Sequence, residues 1–228
     1  MSEFLSRTKL LIGEEAVKKL QSSKVAVFGL GGVGSFTVEA LARSGVGSLI
    51  LCDNDVISPS NVNRQLFALN STIGKLKVDV AKERLLDINP NLKIETYPIK
   101  FGEETCCQFD LETVDYVCDA IDDINGKVLL IKIAKSLNKS IISCFGTANK
   151  LTSSKFEITD VYNTSVCPLA KIMRNRLKKE GVESLKVLYS KEAPQKKVEG
   201  KILPSIAFVP SVAGLMLCEE IVKDLIGK

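Results

Sequence analysis

The sequence predicts an α/β fold in which a mostly parallel sheet is covered by helices on both faces. Two observations predict it: short apolar runs rich in β-forming residues alternate with stretches of helical spacing, and a glycine-rich turn directly follows the first apolar run. Parallel neighbours need long crossover connections, which helices commonly provide. The length of 228 residues is enough for a well-buried core.

Residues 1–145 carry the regular alternation. Their predicted strands are 24–29, 48–52, 92–97, 114–118 and 140–144, and their predicted helices are 32–44, 74–88 and 124–137. Residues 146–228 continue with predicted strands 155–161 and 186–189 and predicted helices 168–180 and 210–226. This change of pattern predicts a mixed extension of the same sheet. Because no long linker or internal repeat interrupts the chain, we expect a single domain of residues 1–228 with two halves.

The positive charge of the chain is concentrated in its second half. Residues 1–150 hold equal numbers of basic and acidic residues, so the net charge of +4 lies in residues 151–228. Helix 168–180 is expected to bury Leu169, Ile172, Met173 and Leu177 and to expose Lys171, Arg174 and Lys178. The polar loop 190–201 adds Lys191, Lys196, Lys197 and Lys201. Such a surface fits a polyanionic partner, and it fits a solvated helix face equally well.

Histidine is absent, and this excludes several kinds of catalytic site. Ser-His and Cys-His nucleophile activation, histidine general bases and histidine metal ligands cannot occur. The seven cysteines contain no C-x-x-C pair, so a zinc site of the usual spacing is not expected. We see no signal peptide and no apolar run of roughly 18 residues. The sequence therefore predicts a cytoplasmic protein without integral membrane association.

A glycine motif predicts a nucleotide site. Gly29, Gly31 and Gly34 form G-x-G-x-x-G after the first predicted strand, at the start of a predicted helix. Glycines let the backbone approach phosphates, and the N-terminus of the helix favours their negative charge. Asp53 follows the second predicted strand, where a carboxylate can accept hydrogen bonds from ribose hydroxyls. These features alone do not distinguish ATP from NAD.

Charged residues beyond the glycine motif indicate adenylation rather than hydride transfer. Arg64 and Lys77 are expected beside the phosphates, with Asp122 across from them after the fourth predicted strand. The two cations would neutralise charge that builds on the α-phosphate and pyrophosphate, and the carboxylate would hold Mg²⁺. A hydride-transfer enzyme needs none of these groups.

The motifs together resemble a known superfamily. They are GLGGVGS at 29–35, DND at 53–55, SNVNRQ at 60–65, GKLK at 74–77 and DAIDD at 119–123. The set is similar to the ubiquitin-activating-enzyme-like superfamily, which adenylates carboxylates on a Rossmann-like fold. The resemblance implies that ATP contacts Gly29, Gly31, Gly32, Gly34, Asp53, Asn61, Arg64, Gln65 and Lys77. It implies the catalytic residues Arg7, Arg64, Lys77 and Asp122, with Asp122 also as the metal ligand.

The second half narrows the resemblance. Segments 156–160, 166–174, 185–192 and 205–214 resemble the tRNA threonylcarbamoyladenosine dehydratases. That family implies ATP-dependent cyclisation of threonylcarbamoyladenosine through an adenylated threonyl carboxylate. From the basic face of helix 168–180 we expect the tRNA to bind Lys171, Arg174 and Lys178. The family implies ATP and Mg²⁺ as cofactors and raises a monovalent cation as a further one.

The same resemblance suggests partners beyond the substrate. It implies a homodimer, in which Arg7 reaches the partner subunit's ATP site, and no DNA partner. A cysteine desulfurase or sulfur-acceptor system is a further partner that we leave open. The chain stops soon after its last predicted helix, whereas some members of the family continue further. Functions that depend on such an extension are therefore left open.

Two other functions are considered. One is an adenylyltransferase that activates the C-terminus of a sulfur-carrier or ubiquitin-like protein, and the missing C-x-x-C pairs argue against it. The other is a nucleotide-binding module without catalysis, and the combination of Arg64, Lys77 and Asp122 argues against it. Cys167 precedes a predicted helix, whose dipole favours a thiolate. We favour the alternative that Cys167, like Cys218, is a packed or capping thiol.

Overall fold

The computed structural model describes residues 3–195 and 203–228, and these build one seven-stranded sheet. The strands are β1 Lys24–Phe28, β2 Ser48–Cys52, β3 Lys93–Tyr97, β4 Tyr116–Asp119, β5 Ser140–Cys144, β6 Phe156–Asp160 and β7 Lys186–Ser190. Their order in the sheet is β3-β2-β1-β4-β5-β7-β6. All neighbours pair in parallel except β6 and β7, which are antiparallel. The predicted mixed extension of the sheet is confirmed.

Helices cover both faces of the sheet, as predicted. They are α1 Ser6–Ile12, α2 Glu14–Ser22, α3 Gly34–Ser44, α4 Lys77–Ile88, α5 Ile124–Ser136, α6 Pro168–Lys179 and α7 Phe208–Ile226. Alternate residues of β1 enter two separate apolar cores, because successive side chains of a strand point to opposite faces. Val25 and Val27 pack with α3, α4 and α7, whereas Ala26 and Phe28 pack with α5 and α6.

The sheet reverses its strand order between β1 and β4. From β1 the chain builds outward through β2 and β3, and then returns to place β4, β5 and β7 on the other side. In open α/β sheets this reversal leaves a crevice at the carboxyl ends of the two central strands, and ligands bind there. The predicted glycine turn follows β1 and the DAIDD motif spans the end of β4, so the topology brings both to this crevice.

Three details differ from the sequence-based expectation. Helices α1 and α2 were not predicted. Helix α4 begins at Lys77 rather than at residue 74, because residues 74–77 pair with 55–57: Ile57 N–H donates to Lys75 O at 2.9 Å. The expected buried face of α6 was wrong in part, since Ile172 is 45% exposed. Ala170, Met173 and Leu177 form the buried stripe instead, at the spacing of one helix face.

No helix among the described residues is both long enough and apolar enough to cross a membrane.

Candidate functional site

A cleft of about 880 Å³ opens at the carboxyl ends of the strands. One side, here called the nucleotide wall, consists of Gly29, Gly31, Gly32, Asp53, Asn61, Arg64, Gln65, Lys77 and Asp122. The other side, here called the substrate wall, consists of Gly146, Thr147, Ala148, Leu169, Leu203 and Ser205. Most of the sequence-predicted ATP residues therefore face one space, although they come from four separate segments of the chain. Of the predicted ATP-binding and catalytic residues, Gly34 and Arg7 do not line it, and neither do the predicted tRNA-binding residues Lys171, Arg174 and Lys178.

The glycine turn is shaped by close backbone contacts. Gly29 has φ of +91°, and a Cβ there would lie 2.5 Å from the carbonyl oxygen of Ala120. A Cβ on Gly34 would lie 1.8 Å from the carbonyl oxygen of Gly29. Both positions therefore require glycine, since any side chain would push the turn away from β4 or from α3. Gly34 closes the packing of the turn, and Gly31 and Gly32 face the cleft at the N-terminal end of α3.

Asp53 is held rigidly at the end of β2. Its Oδ2 accepts a hydrogen bond from the N–H of Leu30 at 2.6 Å, and its Oδ1 accepts one from the N–H of Asp55 at 2.9 Å. Its side chain is only 8% exposed. The carboxylate is thereby fixed against the glycine turn, where it can accept hydrogen bonds from a ribose.

Lys77 presents a buried ammonium at the start of α4. Its Nζ lies 2.6 Å from Oδ2 of Asp55 and 3.6 Å from Oδ2 of Asp53, and its side chain is 5% exposed. Two carboxylates therefore compensate the ammonium in the cleft wall. Asp55 is largely exposed, so its carboxylate can be solvated when an entering phosphate takes over the ammonium.

Arg64 carries a positive charge that is not neutralised within the cleft. Its Nη1 donates to the carbonyl of Ser60 at 2.8 Å and to Oδ1 of Asn63 at 2.9 Å. Within residues 3–195 and 203–228, no carboxylate forms an ion pair with it. Asn61 accepts the N–H of Ser58 at 3.1 Å and so shapes the same loop. The guanidinium is oriented by neutral groups, and its charge remains available to an anion.

The two aspartates after β4 have separate roles. Oδ2 of Asp123 accepts the N–H of Gly126 at 2.7 Å and caps α5. Asp122 is exposed to the cleft and makes no hydrogen bond or ion pair with another described residue. No group of three or more potential metal-binding side chains occurs in the described part of the chain. A metal at Asp122 would therefore need oxygen ligands from phosphates and water, which is the usual coordination of Mg²⁺.

A buried polar cluster behind the nucleotide wall was missed by sequence reasoning. Asp119, Lys127 and Ser143 are at most 1% exposed, and Lys127 Nζ lies 2.9 Å from Oδ2 of Asp119. The sequence held a usable signal, because a lysine in the first turn of a largely apolar helix needs a buried partner. The first aspartate of the DAIDD motif is that partner.

The predicted tRNA-binding residues on α6 have different environments. Arg174 is partly buried, and its Nη1 donates to both the carbonyl at 2.8 Å and the hydroxyl of Thr164. Lys171 and Lys178 are exposed and make no ion pair with a described residue. Lys191 pairs with Glu157. Lys196, Lys197 and Lys201 lie outside the described residues.

The two cysteines considered for chemistry are packed. Cys167 is 3% exposed, and its Sγ accepts the N–H of Ala170 at 3.5 Å, so it caps α6. Burial raises the pKa of the Cys218 thiol to about 12, which keeps it protonated at neutral pH. Both environments agree with the interpretation as packed or capping thiols.

Arg7 lies on the exposed surface of α1, away from the cleft of its own chain. The same helix exposes Leu10 at 88% and Leu11 at 83%.

Comparison with known proteins finds a matching family and several similar proteins. The model of the ThiF family matches residues 5–228. The chain is 44% identical to the tRNA threonylcarbamoyladenosine dehydratase of Bacillus subtilis, over 97% of this chain and 94% of that protein. It is 33% identical to the Escherichia coli protein of the same name, over 76% of this chain and 65% of that protein. The crystal structure of E. coli tRNA N6-threonylcarbamoyladenosine dehydratase, TcdA, in complex with ATP superposes with a TM-score of 0.91 at 27% identity, covering 99% of this chain and 94% of that chain.

Proposed function

This chain belongs to the ThiF family, and we propose that it is an ATP-dependent tRNA threonylcarbamoyladenosine dehydratase. One observation carries the proposal: Asp53, Arg64, Lys77 and Asp122 converge on a single cleft whose opposite wall comes from the second half of the chain. That arrangement can hold a nucleotide and a second substrate together. The Bacillus subtilis relative, which matches this chain almost end to end, carries the same named activity.

In this proposal ATP lies along the nucleotide wall. Asp53 accepts hydrogen bonds from the ribose, and the phosphates lie over Gly31 and Gly32 at the N-terminal end of α3. Asn61 and Gln65 complete the lining beside Arg64. The cations Arg64 and Lys77 then flank the α-phosphate and the departing pyrophosphate.

The first chemical step is adenylation of the threonyl carboxylate. A carboxylate oxygen forms a bond to the α-phosphorus, and the bond between the α- and β-phosphates breaks, releasing pyrophosphate. Arg64 and Lys77 stabilise the negative charge that grows on the phosphate oxygens. Holding the carboxylate and ATP together in one cleft supplies further acceleration, because the reaction becomes effectively intramolecular.

The second step closes a ring. An internal nucleophile of the same modified base attacks the activated carbonyl carbon and releases its proton to solvent, and the bond between that carbon and the oxygen of AMP breaks. AMP leaves with the carboxylate oxygen, so the modified nucleoside loses one water in total. The substrate wall, which consists of small residues, backbone and the apolar Leu169 and Leu203, can accommodate the base while this occurs.

Asp122 is the residue that would hold Mg²⁺, since its exposed carboxylate faces the cleft and has no hydrogen bond or ion pair with another residue that the structure describes. The ion would neutralise phosphate charge when bound.

A homodimer completes the site in this proposal. Helix α1 exposes Leu10 and Leu11 almost fully, and a second copy of the chain would cover such adjacent apolar side chains. Arg7, on the same helix, then reaches the cleft of the other subunit. The seven free cysteines and a tRNA substrate fit a reducing cytoplasm.

The proposal is tested by incubating the purified chain with ATP and tRNA that carries threonylcarbamoyladenosine. We expect the mass of the modified nucleoside to fall by one water, with AMP and pyrophosphate formed in equal amounts. The alternative function, activation of a sulfur-carrier or ubiquitin-like protein, predicts that ATP is converted to AMP and pyrophosphate only when such a protein is added. An unchanged nucleoside in the presence of ATP turnover on such a carrier would replace our proposal with that alternative.

A further inference from the structure

A fully buried ion pair lies directly behind the nucleotide wall. Lys127 Nζ donates to Oδ1 and Oδ2 of Asp119 at 3.0 and 2.9 Å, and the two side chains are 1% and 0% exposed. Ser143 Oγ donates to Oδ2 of the same carboxylate. Neither member of the pair lines the cleft, so neither can contact a bound nucleotide.

Stability alone does not explain this pair. Removing two charges from water costs free energy that their attraction often fails to recover, and an apolar pair of similar volume is frequently as stable. Lys127 also crosses the core to reach Asp119, with its ammonium 5.5 Å from the centre of the Phe145 ring. A buried pair of this kind holds the carboxylate in one orientation. The other contacts of the carboxylate then show what that orientation does.

The remaining contact of Asp119 is the turn that forms the nucleotide wall. Its Oδ1 accepts the N–H of Ile121 at 3.1 Å. Ala120, within the same turn, donates its N–H to Phe28 O at 2.8 Å and packs its carbonyl against Gly29. Asp122 follows immediately and faces the cleft. A displacement of this turn would therefore move the glycine turn and Asp122 together.

We propose that Asp119 and Lys127 are positioning residues: Lys127 and Ser143 orient the Asp119 carboxylate, which holds the Ile121 N–H and thereby fixes the 120–122 turn for nucleotide binding. The inference rests on the proposed function only in taking the cleft as an ATP site. It assigns neither residue a contact with substrate.

Two double variants separate positioning from simple packing. Asp119→Asn with Lys127→Met removes both charges but keeps an oxygen that can accept the Ile121 N–H. Asp119→Leu with Lys127→Met removes the charges and that acceptor, and keeps the same branched arrangement of four side-chain heavy atoms at position 119. Both variants avoid an unpaired buried charge, so both should melt within a few degrees of the wild type.

ATP affinity is then measured by calorimetry without tRNA. We expect the variant that keeps the acceptor to bind ATP within about threefold of wild type. The variant without it should bind on the order of tenfold more weakly, because a buried N–H without an acceptor displaces the turn. Equal ATP affinity in the two folded variants overturns the proposal, since a packing role predicts no difference between them.

A measurement on the wild-type chain covers the case in which a variant does not fold. The N–H of Ile121 should exchange with solvent much more slowly than that of Asp122, which has no hydrogen bond with another described residue. If the two amides exchange at equal rates in the absence of nucleotide, the Asp119 carboxylate does not hold the 120–122 turn. If the wild-type chain binds ATP but leaves the modified tRNA unchanged, the proposed function is rejected. The ATP affinities of the two double variants would still test the positioning role of Asp119 and Lys127.

Discussion

The two walls of the cleft are held in different ways. On the nucleotide wall the functional groups are oriented by residues of that wall or of the loops that carry it: Asp53 by Leu30 and Asp55, and Arg64 by Ser60 and Asn63. The substrate wall continues along the chain into residues 149–152, which contacts with distant segments hold in place. Glu192 accepts the N–H of Leu151 at 3.0 Å and that of Thr152 at 2.8 Å.

This difference has a functional consequence. Locally oriented groups keep their geometry even when the opposite wall moves, so nucleotide binding should not depend on tRNA. A wall that depends on contacts between distant segments can be perturbed without disturbing the nucleotide site. The Asn63 side chain joins the two, since its Nδ2 donates to Ser205 O at 3.2 Å.

The largest effect is expected on the nucleotide wall. Changing Lys77→Met should lower the rate of AMP formation by about 10²–10³-fold, since it removes one cation from the developing phosphate charge. Lys75→Met, at an exposed position two residues earlier, is the matched control. AMP formation is measured in single turnovers with saturating tRNA. A Lys77→Met rate within a few fold of the control would remove this ammonium from the mechanism.

A mixing experiment tests whether Arg7 of the other subunit contributes to the cleft. Arg7→Ala and Asp122→Ala chains should each be inactive alone. Mixed in equal amounts, they should regain about a quarter of wild-type activity, because half of the dimers are mixed and each has one complete site. Subunit exchange is verified by mass spectrometry of the intact dimers. Exchanged mixtures that stay inactive would show that Arg7 does not act across the interface.

The support of the substrate wall is tested at Glu192, a buried carboxylate that does not itself line the cleft. Glu192→Gln removes the negative charge and replaces one acceptor oxygen by a donor, so the N–H groups of Leu151 and Thr152 must share the remaining oxygen and the Gln195 amide loses its acceptor. We expect KM for the modified tRNA to rise about tenfold, while the Kd for ATP measured by calorimetry stays unchanged. Glu157→Gln, which alters an exposed pair with Lys191, is the control. An equal loss of ATP affinity would mean that the two walls are not independent.

The smallest effect is expected on the outer face of α6. Lys171→Gln with Lys178→Gln should flatten the salt dependence of tRNA binding by about 1.4–1.8 units, at roughly 0.7–0.9 per phosphate contact. Arg174 is left unchanged, since it supports Thr164. Lys18→Gln with Lys19→Gln is the charge-matched control on the opposite face of the sheet. An identical salt slope in both double variants would show that this face of α6 is only solvated.

Much of the fold could be predicted because its signals are local. The continuous apolar runs of strands β1 and β2 and the end of α5 at a polar turn are visible in neighbouring residues, and both agree with the structure. Helix α1 was missed because it buries no residue fully, so its sequence has only a weak apolar face. Helix α2 was missed although Val17 and Leu20, one turn apart, are buried and gave a usable signal. Ile172 was assigned to the buried face of α6 on its hydrophobicity, although the helix turns it outward.

The sequence by itself determined the nucleotide half: a glycine turn after a strand, a carboxylate at the next strand end, and cations at short spacings. Each is recognisable because the backbone geometry that it requires spans only a few residues. Tertiary structure decided which charged side chains are bound to other protein groups and which remain available to a ligand. Arg174 and Lys178 look alike in the sequence, yet only Arg174 reaches Thr164. The sequence indicates that Lys127 needs a buried partner, and only the sheet shows that this partner is Asp119. Burial and partner choice depend on segments far apart in the chain, and only the folded chain brings those segments together.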